Sequence, residues 1–232
     1  MTSASRRAVL VIAAHPDDEA LGCAGTIARH SIAGDEVHIA FLTDGVSSRG
    51  QEPAARGAAM QRRQEAARQA ARELGANPPH FFDLPDQRLD TVPLIEIILS
   101  IESLAAPLRP EIVYTHAVGD LNLDHRLACA AVLTAFRPTP GQSVSAIYGF
   151  ETLSSTEWNF GASNISFQPA RFVCIVDVLE RKLAALEAYG EETREFPHPR
   201  SHQAVRALAA LRGSAVGMQA AEAFSVLREV VR

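Results

Sequence analysis

Residues 8–14 form an unbroken apolar run rich in β-branched side chains, the pattern of a strand buried on both faces of a parallel sheet. Residues 17–31 open with acids and then carry apolar Leu21, Ala24, Ile27 and Ala28, which predicts a helix with negative charge at its N-terminus. The theme recurs. Residues 37–42 predict a second strand, 43–57 a polar loop, and 58–74 a helix ended by Gly75. A third strand falls at 80–84, a helix at 93–106 with a proline in its first turn, a fourth strand at 111–115 and a helix at 124–136. This alternation predicts an α/β fold, a mostly parallel sheet covered by helices on both faces.

Beyond residues 138–141 the pattern changes. Strands are expected at 144–150 and 172–176, at a sheet edge, with a polar loop containing Trp158 between them. The last third reads as helical, at 178–188, at 202–211 and near 220–224, with Pro197-His198-Pro199-Arg200 as a rigid connector. No repeat or linker divides the 232 residues. The chain 1–232 is therefore expected to be one domain, with 1–136 as the core half that carries the chemistry and 137–232 adding strands and helices.

Composition narrows the partners. With 47% hydrophobic and 21% charged residues, the chain is an ordinary globular one. Its 22 Lys+Arg against 27 Asp+Glu give a net charge of −5, so it lacks the positive field that drives nucleic-acid binding. No apolar run approaches the roughly 18–20 residues of a membrane span. Cys23, Cys129 and Cys174 are odd in number and sit in apolar runs, which predicts free thiols and a reducing, cytoplasmic location. No export signal is read at the N-terminus. The C-terminal helices are apolar enough to form a subunit interface, so a homo-oligomer is an open expectation.

In an open parallel sheet, ligands bind beyond the carboxyl ends of the strands. The loop after the first strand holds His15-Pro16-Asp17-Asp18-Glu19, and the one after the fourth runs through His116 to Asp120-Leu121-Asn122-Leu123-Asp124-His125. Two imidazoles and a carboxylate with an open fourth position make a zinc site of catalytic type, and His15, Asp18 and His125 supply such a set. The same donors also accept Fe²⁺ or Co²⁺. Asp17 is left over, able to take a proton from water if it does not face the ion.

These two motifs in this order resemble the LmbE/PIG-L family of zinc-dependent N-deacetylases. The resemblance extends to Thr43-Asp44-Gly45, to Arg62-x-x-Glu65 with Leu74-Gly75, to Asp86, and to Arg212-Gly213 followed by Ala221-Glu222-Ala223-Phe224. It implies a Rossmann-like fold with one Zn²⁺ held by His15, Asp18 and His125, and Asp17 as general base. The implied reaction removes the acetyl group from an amino sugar, free, nucleotide-linked or in a glycoconjugate, giving amine and acetate. In substrate binding, Arg62 is expected at a hydroxyl or phosphate and Asp86 at a sugar hydroxyl, with the loop aromatics Trp158 and Phe160 framing the ring, His198 as a further substrate contact and Asp124 orienting an imidazole. One departure stands out: many members read His-Pro-Asp-His where this chain has Asn122-Leu123-Asp124-His125. Asn122 donates a hydrogen bond to a developing oxyanion but carries no proton; His198, His202 and Tyr148 are the candidates to replace the missing acid.

Two other readings compete. A receiver-like signalling domain binds Mg²⁺ beside an acidic pair, and would need Asp83 as phosphoacceptor and Lys182, the chain's only lysine. An inactive metal-binding scaffold has Asn122 as its one hint.

Overall fold

The computed structural model describes residues 6–49, 53–161 and 165–231. Strands β1 (Ala8–Ala13), β2 (Glu36–Thr43), β3 (His80–Leu84), β4 (Ile112–His116), β5 (Ala146–Phe150), β6 (Arg171–Cys174) and β7 (Ala221–Glu229) form one sheet in the order β3-β2-β1-β4-β5-β7-β6. All neighbours pair in parallel except β7, which runs antiparallel to both β5 and β6.

Strand alternation divides the core into two layers. Val9, Val11 and Ala13 point to the face covered by α1 (Asp18–Gly22), α2 (Ala24–Ile32), α3 (Pro53–Leu74), α6 (Leu179–Glu187) and α7 (His202–Ser214). Leu10, Ile12 and Ala14 point to the face under α4 (Leu94–Leu108) and α5 (Leu123–Ala135). The expected single-domain α/β architecture is therefore present, and no helix among the described residues is long and apolar enough to cross a membrane.

Three local expectations need correction. The helix expected over 17–31 breaks at Cys23 (φ −144°, ψ 17°) into α1 and α2. The break lets the Gly22 backbone lie against the Phe150 ring, where a Cβ would come within 2.3 Å of a ring carbon. The new helix start is capped from across the sheet: the Glu222 carboxylate accepts from Gly25 N at 2.9 Å and Thr26 N at 2.7 Å. Second, residues near 220–224 are strand and not helix. Their Ala/Glu composition suggested a helix, but an open slot between β5 and β6 satisfies the backbone on both sides and buries Phe224 completely, so pairing overrides local propensity. Third, β5 lies inside the sheet, leaving only β6 at that edge.

Lys182 completes the lock around Glu222, donating to it at 2.6 Å and to Leu21 O at 2.7 Å, with both side chains buried. Removing one partner of such a pair strands the other charge in a dry site. Glu222→Ala is thus expected to lower the unfolding free energy by about 3–5 kcal/mol, read as a fall in denaturant midpoint; an unchanged midpoint would show that this pair does not tie β7 to α2.

Candidate metal centre

The strand order reverses between β1 and β4, which pair in parallel, so their carboxyl-end loops flank one crevice. His15 follows β1, Asp18 begins α1, and His125 lies in the first turn of α5. All three are buried. His15 Nδ1 lies 3.2 Å from Asp18 Oδ2 and 3.2 Å from His125 Nε2, and the third side, His125 Nε2 to Asp18 Oδ2, is 3.3 Å. A tetrahedral zinc with bonds of about 2.0–2.1 Å separates its donors by about 3.3–3.4 Å, so this near-equilateral triangle has the size of one face of that coordination shell. Asp18 Oδ1 is buried with no hydrogen-bond partner among the described residues. The donor set and its spacing fit a divalent cation.

The far nitrogens of both imidazoles meet carboxylates. His125 Nδ1 is 3.1 Å from Asp120 Oδ1, and His15 Nε2 is 3.2 Å from Asp124 Oδ2 and 3.3 Å from Asp86 Oδ1. Donation to these oxygens puts the ring protons at the back and the lone pairs at the front, the orientation a cation needs. The carboxylates are themselves held: Asp120 accepts from Thr156 Oγ1 at 2.6 Å, Asn122 N at 2.8 Å and the Ser155 hydroxyl, and Asp124 accepts from Leu89 N at 3.0 Å.

Charge balance follows. Burial alone would lower the His15 pKa, but hydrogen bonds to Asp124 and Asp18 outweigh it and raise the imidazole to about 10. His125 is raised against its own burial by the charge of Asp18 and its bond to Asp120. Although burial pushes it up, the Asp18 carboxyl is held well below its usual range by the charge of His125 and by its hydrogen bonds to His125 and His15. The raised imidazoles show how strongly this cluster of carboxylates favours positive charge at the donor triangle. His116 is different: Ala14 N donates to its Nε2 at 2.9 Å, and burial, with His125 stacked 3.9 Å away, lowers its pKa to about 3. It is a neutral wall of the site.

Asp17 faces the same cleft. Its carboxylate accepts from Arg200 Nη1 at 2.9 Å, with Arg63 Nη1 at 3.8 Å. Burial raises its pKa most, the two arginines oppose this, and Asp18 and Glu192 add to the rise. Arg63 and Arg200 both pair with Glu192, so the cations beside Asp17 are partly compensated. The cleft has a volume of about 160 Å³ and is lined, among the described residues, by polar side chains and Gly45, with no aliphatic wall.

Asp86 and Asn122 line the cleft as expected residues of the site. Asp86 accepts from the Ser48 hydroxyl. Asn122 caps α5 through Oδ1 to Asp124 N at 2.8 Å and donates through Nδ2 to Gln87 Oε1 at 3.2 Å. Other expected contacts lie elsewhere. Arg62 points outward, exposed, and pairs with Glu191 at 3.3 Å, while its neighbour Arg63 enters the cleft. Trp158 and His198 meet edge to face at 6.1 Å outside the cleft lining. His202 pairs with Glu187 at 3.1 Å, and Tyr148 is buried in the sheet under Arg171. None of the three candidate replacement acids lines the cleft. The residues that sequence reasoning missed are Arg63, Gln87, Arg200 and Glu192, together with the role of Asp120.

A Rossmann-like sheet with such a donor triangle and a carboxylate outside it at the switch point has the parts a metal-assisted hydrolase requires. Residues 10–136 match the family described as PIG-L: GlcNAc-PI de-N-acetylase. The uncharacterized deacetylase YaiS of Escherichia coli (strain K12) is 30% identical over 190 residues, covering 79% of this chain and 91% of that protein. The chain belongs to the PIG-L family. Among solved structures, N,N'-diacetylchitobiose deacetylase from Pyrococcus horikoshii superposes with a TM-score of 0.78 at 22% identity, covering 97% of this chain and 85% of that one. GalB, the 4-carboxy-2-hydroxymuconate hydratase from Pseudomonas putida KT2440, gives 0.75 at 23% identity, covering 97% and 98%. At these identities the likeness establishes the shared fold, which carries more than one chemistry. The receiver-like reading is set aside by the family and by geometry: Asp83 is exposed and bonds Gln64, and Lys182 is spent on Glu222.

Proposed function

We propose that the chain is a zinc-dependent N-deacetylase that hydrolyses the acetamido group of an amino sugar, free, nucleotide-linked or in a glycoconjugate, to the amine and acetate. The observation that carries this reading is the donor triangle of His15, Asp18 and His125 with Asp17 beside it in a polar cleft. When bound, Zn²⁺ supplies a Lewis acid that polarises an amide carbonyl and acidifies water. Asp17, its carboxylate oriented by Arg200, takes the proton of the attacking water and returns it to the leaving nitrogen. Asn122 Nδ2 offers a hydrogen bond toward the reacting carbonyl oxygen without carrying a proton. Asp86 and Ser48 hold ring hydroxyls. A polar cleft of about 160 Å³ suits an acetamido group on a sugar, and its described lining offers no apolar channel for a long acyl chain.

The test is acetate and amine release from a panel of N-acetylated sugars and glycosides, with and without chelator. Turnover that a chelator abolishes and added Zn²⁺ restores is the expected result. A protein that binds zinc yet turns over none of the panel would favour the inactive-scaffold reading. Asp120→Ala is expected to weaken zinc binding by about 10–100-fold, because His125 loses the carboxylate that fixes its tautomer; unchanged affinity in competition with a chromogenic chelator would remove Asp120 from that role.

A further inference from the structure

Asp17 occupies backbone space that side chains avoid. Its φ of 128° with ψ of −24° lies in the region favoured by glycine, a strained conformation that persists only where surroundings enforce it. Although it precedes α1, its side chain makes no capping bond, which leaves the carboxylate free to face the cleft. The strain must be held from the backbone side. There, Asp17 N donates to Glu19 Oε2 at 3.1 Å, and Glu19 Oε1 accepts from the Tyr189 hydroxyl at 2.7 Å. Glu19 is completely buried and Tyr189 nearly so. Tyr189 follows α6, 170 positions away from Glu19; its backbone oxygen accepts from Glu192 N at 2.7 Å, while Tyr189 itself is not among the residues lining the cleft.

Resting on the deacetylase reading above, we propose that Tyr189 is a positioning residue for the reaction: through Glu19 it holds Asp17 in the strained turn that aims the carboxylate into the cleft. A rotated Glu19 would release the Asp17 N–H, and the turn would relax toward an ordinary helix start. Arg200 grips the other end of the residue, so Asp17 is fixed both at its backbone and at its carboxylate.

Tyr189→Phe keeps the ring and removes only the donor. It is expected to lower kcat by about tenfold or more, since small misplacements of a reacting group are costly, while KM stays within about twofold and zinc content stays at wild-type level. In an Asp17→Asn background the same change is expected to have no further effect on the residual rate, because both act on one group. A second variant, Glu19→Leu, suits the dry surroundings and is expected to show the same loss of kcat. Folded, zinc-loaded Tyr189→Phe or Glu19→Leu protein with wild-type kcat overturns the proposal, as does an undiminished effect in the Asp17→Asn background. Full turnover by Asp17→Asn alone would instead sink the underlying mechanism, so the two failures are told apart.

Discussion

Asp17→Asn is expected to lower deacetylase turnover by about 10³-fold, in the middle of the range for loss of a general base, with zinc binding expected to be unchanged. The asparagine is nearly isosteric and still accepts from Arg200 through its amide oxygen, so the cleft retains its shape. What it loses is basicity. The donor triangle is unaffected because Asp17 Oδ2 faces Arg200 and Arg63 and takes no part in it. Steady-state kinetics on any N-acetylated substrate that the wild type accepts, together with metal analysis, checks both halves. Full activity with intact zinc content would remove Asp17 from the reaction.

Metal removal has the second large effect. Chelation, or His15→Ala, is expected to abolish measurable turnover, and the stripped protein also acquires a distinctive pH dependence. His15 in the folded, metal-free state has its pKa raised from 6.5 to about 10. The folded state therefore holds a proton that the unfolded chain releases, and this stabilisation is complete below pH 6.5 and lost as pH climbs through about 10. Glu19, raised from 4.5 to about 8 chiefly by burial, acts in the same direction over a lower window. Stability of the stripped protein should thus fall steadily from mildly acidic to alkaline pH. On the proposed assignment, zinc would take the place of the His15 proton, and its binding would strengthen as its ligands deprotonate. The difference in Tm between loaded and stripped protein is expected to widen with pH; parallel Tm curves would contradict the assignment of His15 as a ligand.

Much of the architecture was legible because burial imposes periodicity. The β1 run is apolar on both faces because helices cover both, and the strand at 80–84 matches β3 residue for residue. The two loops rich in histidine and acids were readable because like charges crowded into short segments repel unless a cation offsets them. The arginine was misread for want of helix phase. Ala59, Arg63, Ala67, Ala70 and Leu74 form the buried stripe of α3, and Arg63 falls on it while Arg62 lies about 100° off. That signal was present in the sequence. Arg200 was not readable, since a connector after two prolines gives no hint that its guanidinium meets a carboxylate 183 positions earlier. Nor was β7: its alanines and glutamates speak for a helix, and only the vacancy between two other strands decides otherwise.

That late strand has a consequence for biosynthesis. Among the described residues, β6 hydrogen-bonds to no strand but β7, and β5 has β4 alone on its other side. Until residues 221–229 leave the ribosome, β6 has no sheet to join and β5 presents a raw edge that other nascent chains can template upon. Products stalled or cleaved ahead of this segment should collect as aggregates, with the first turn of α2 deprived of its Glu222 cap.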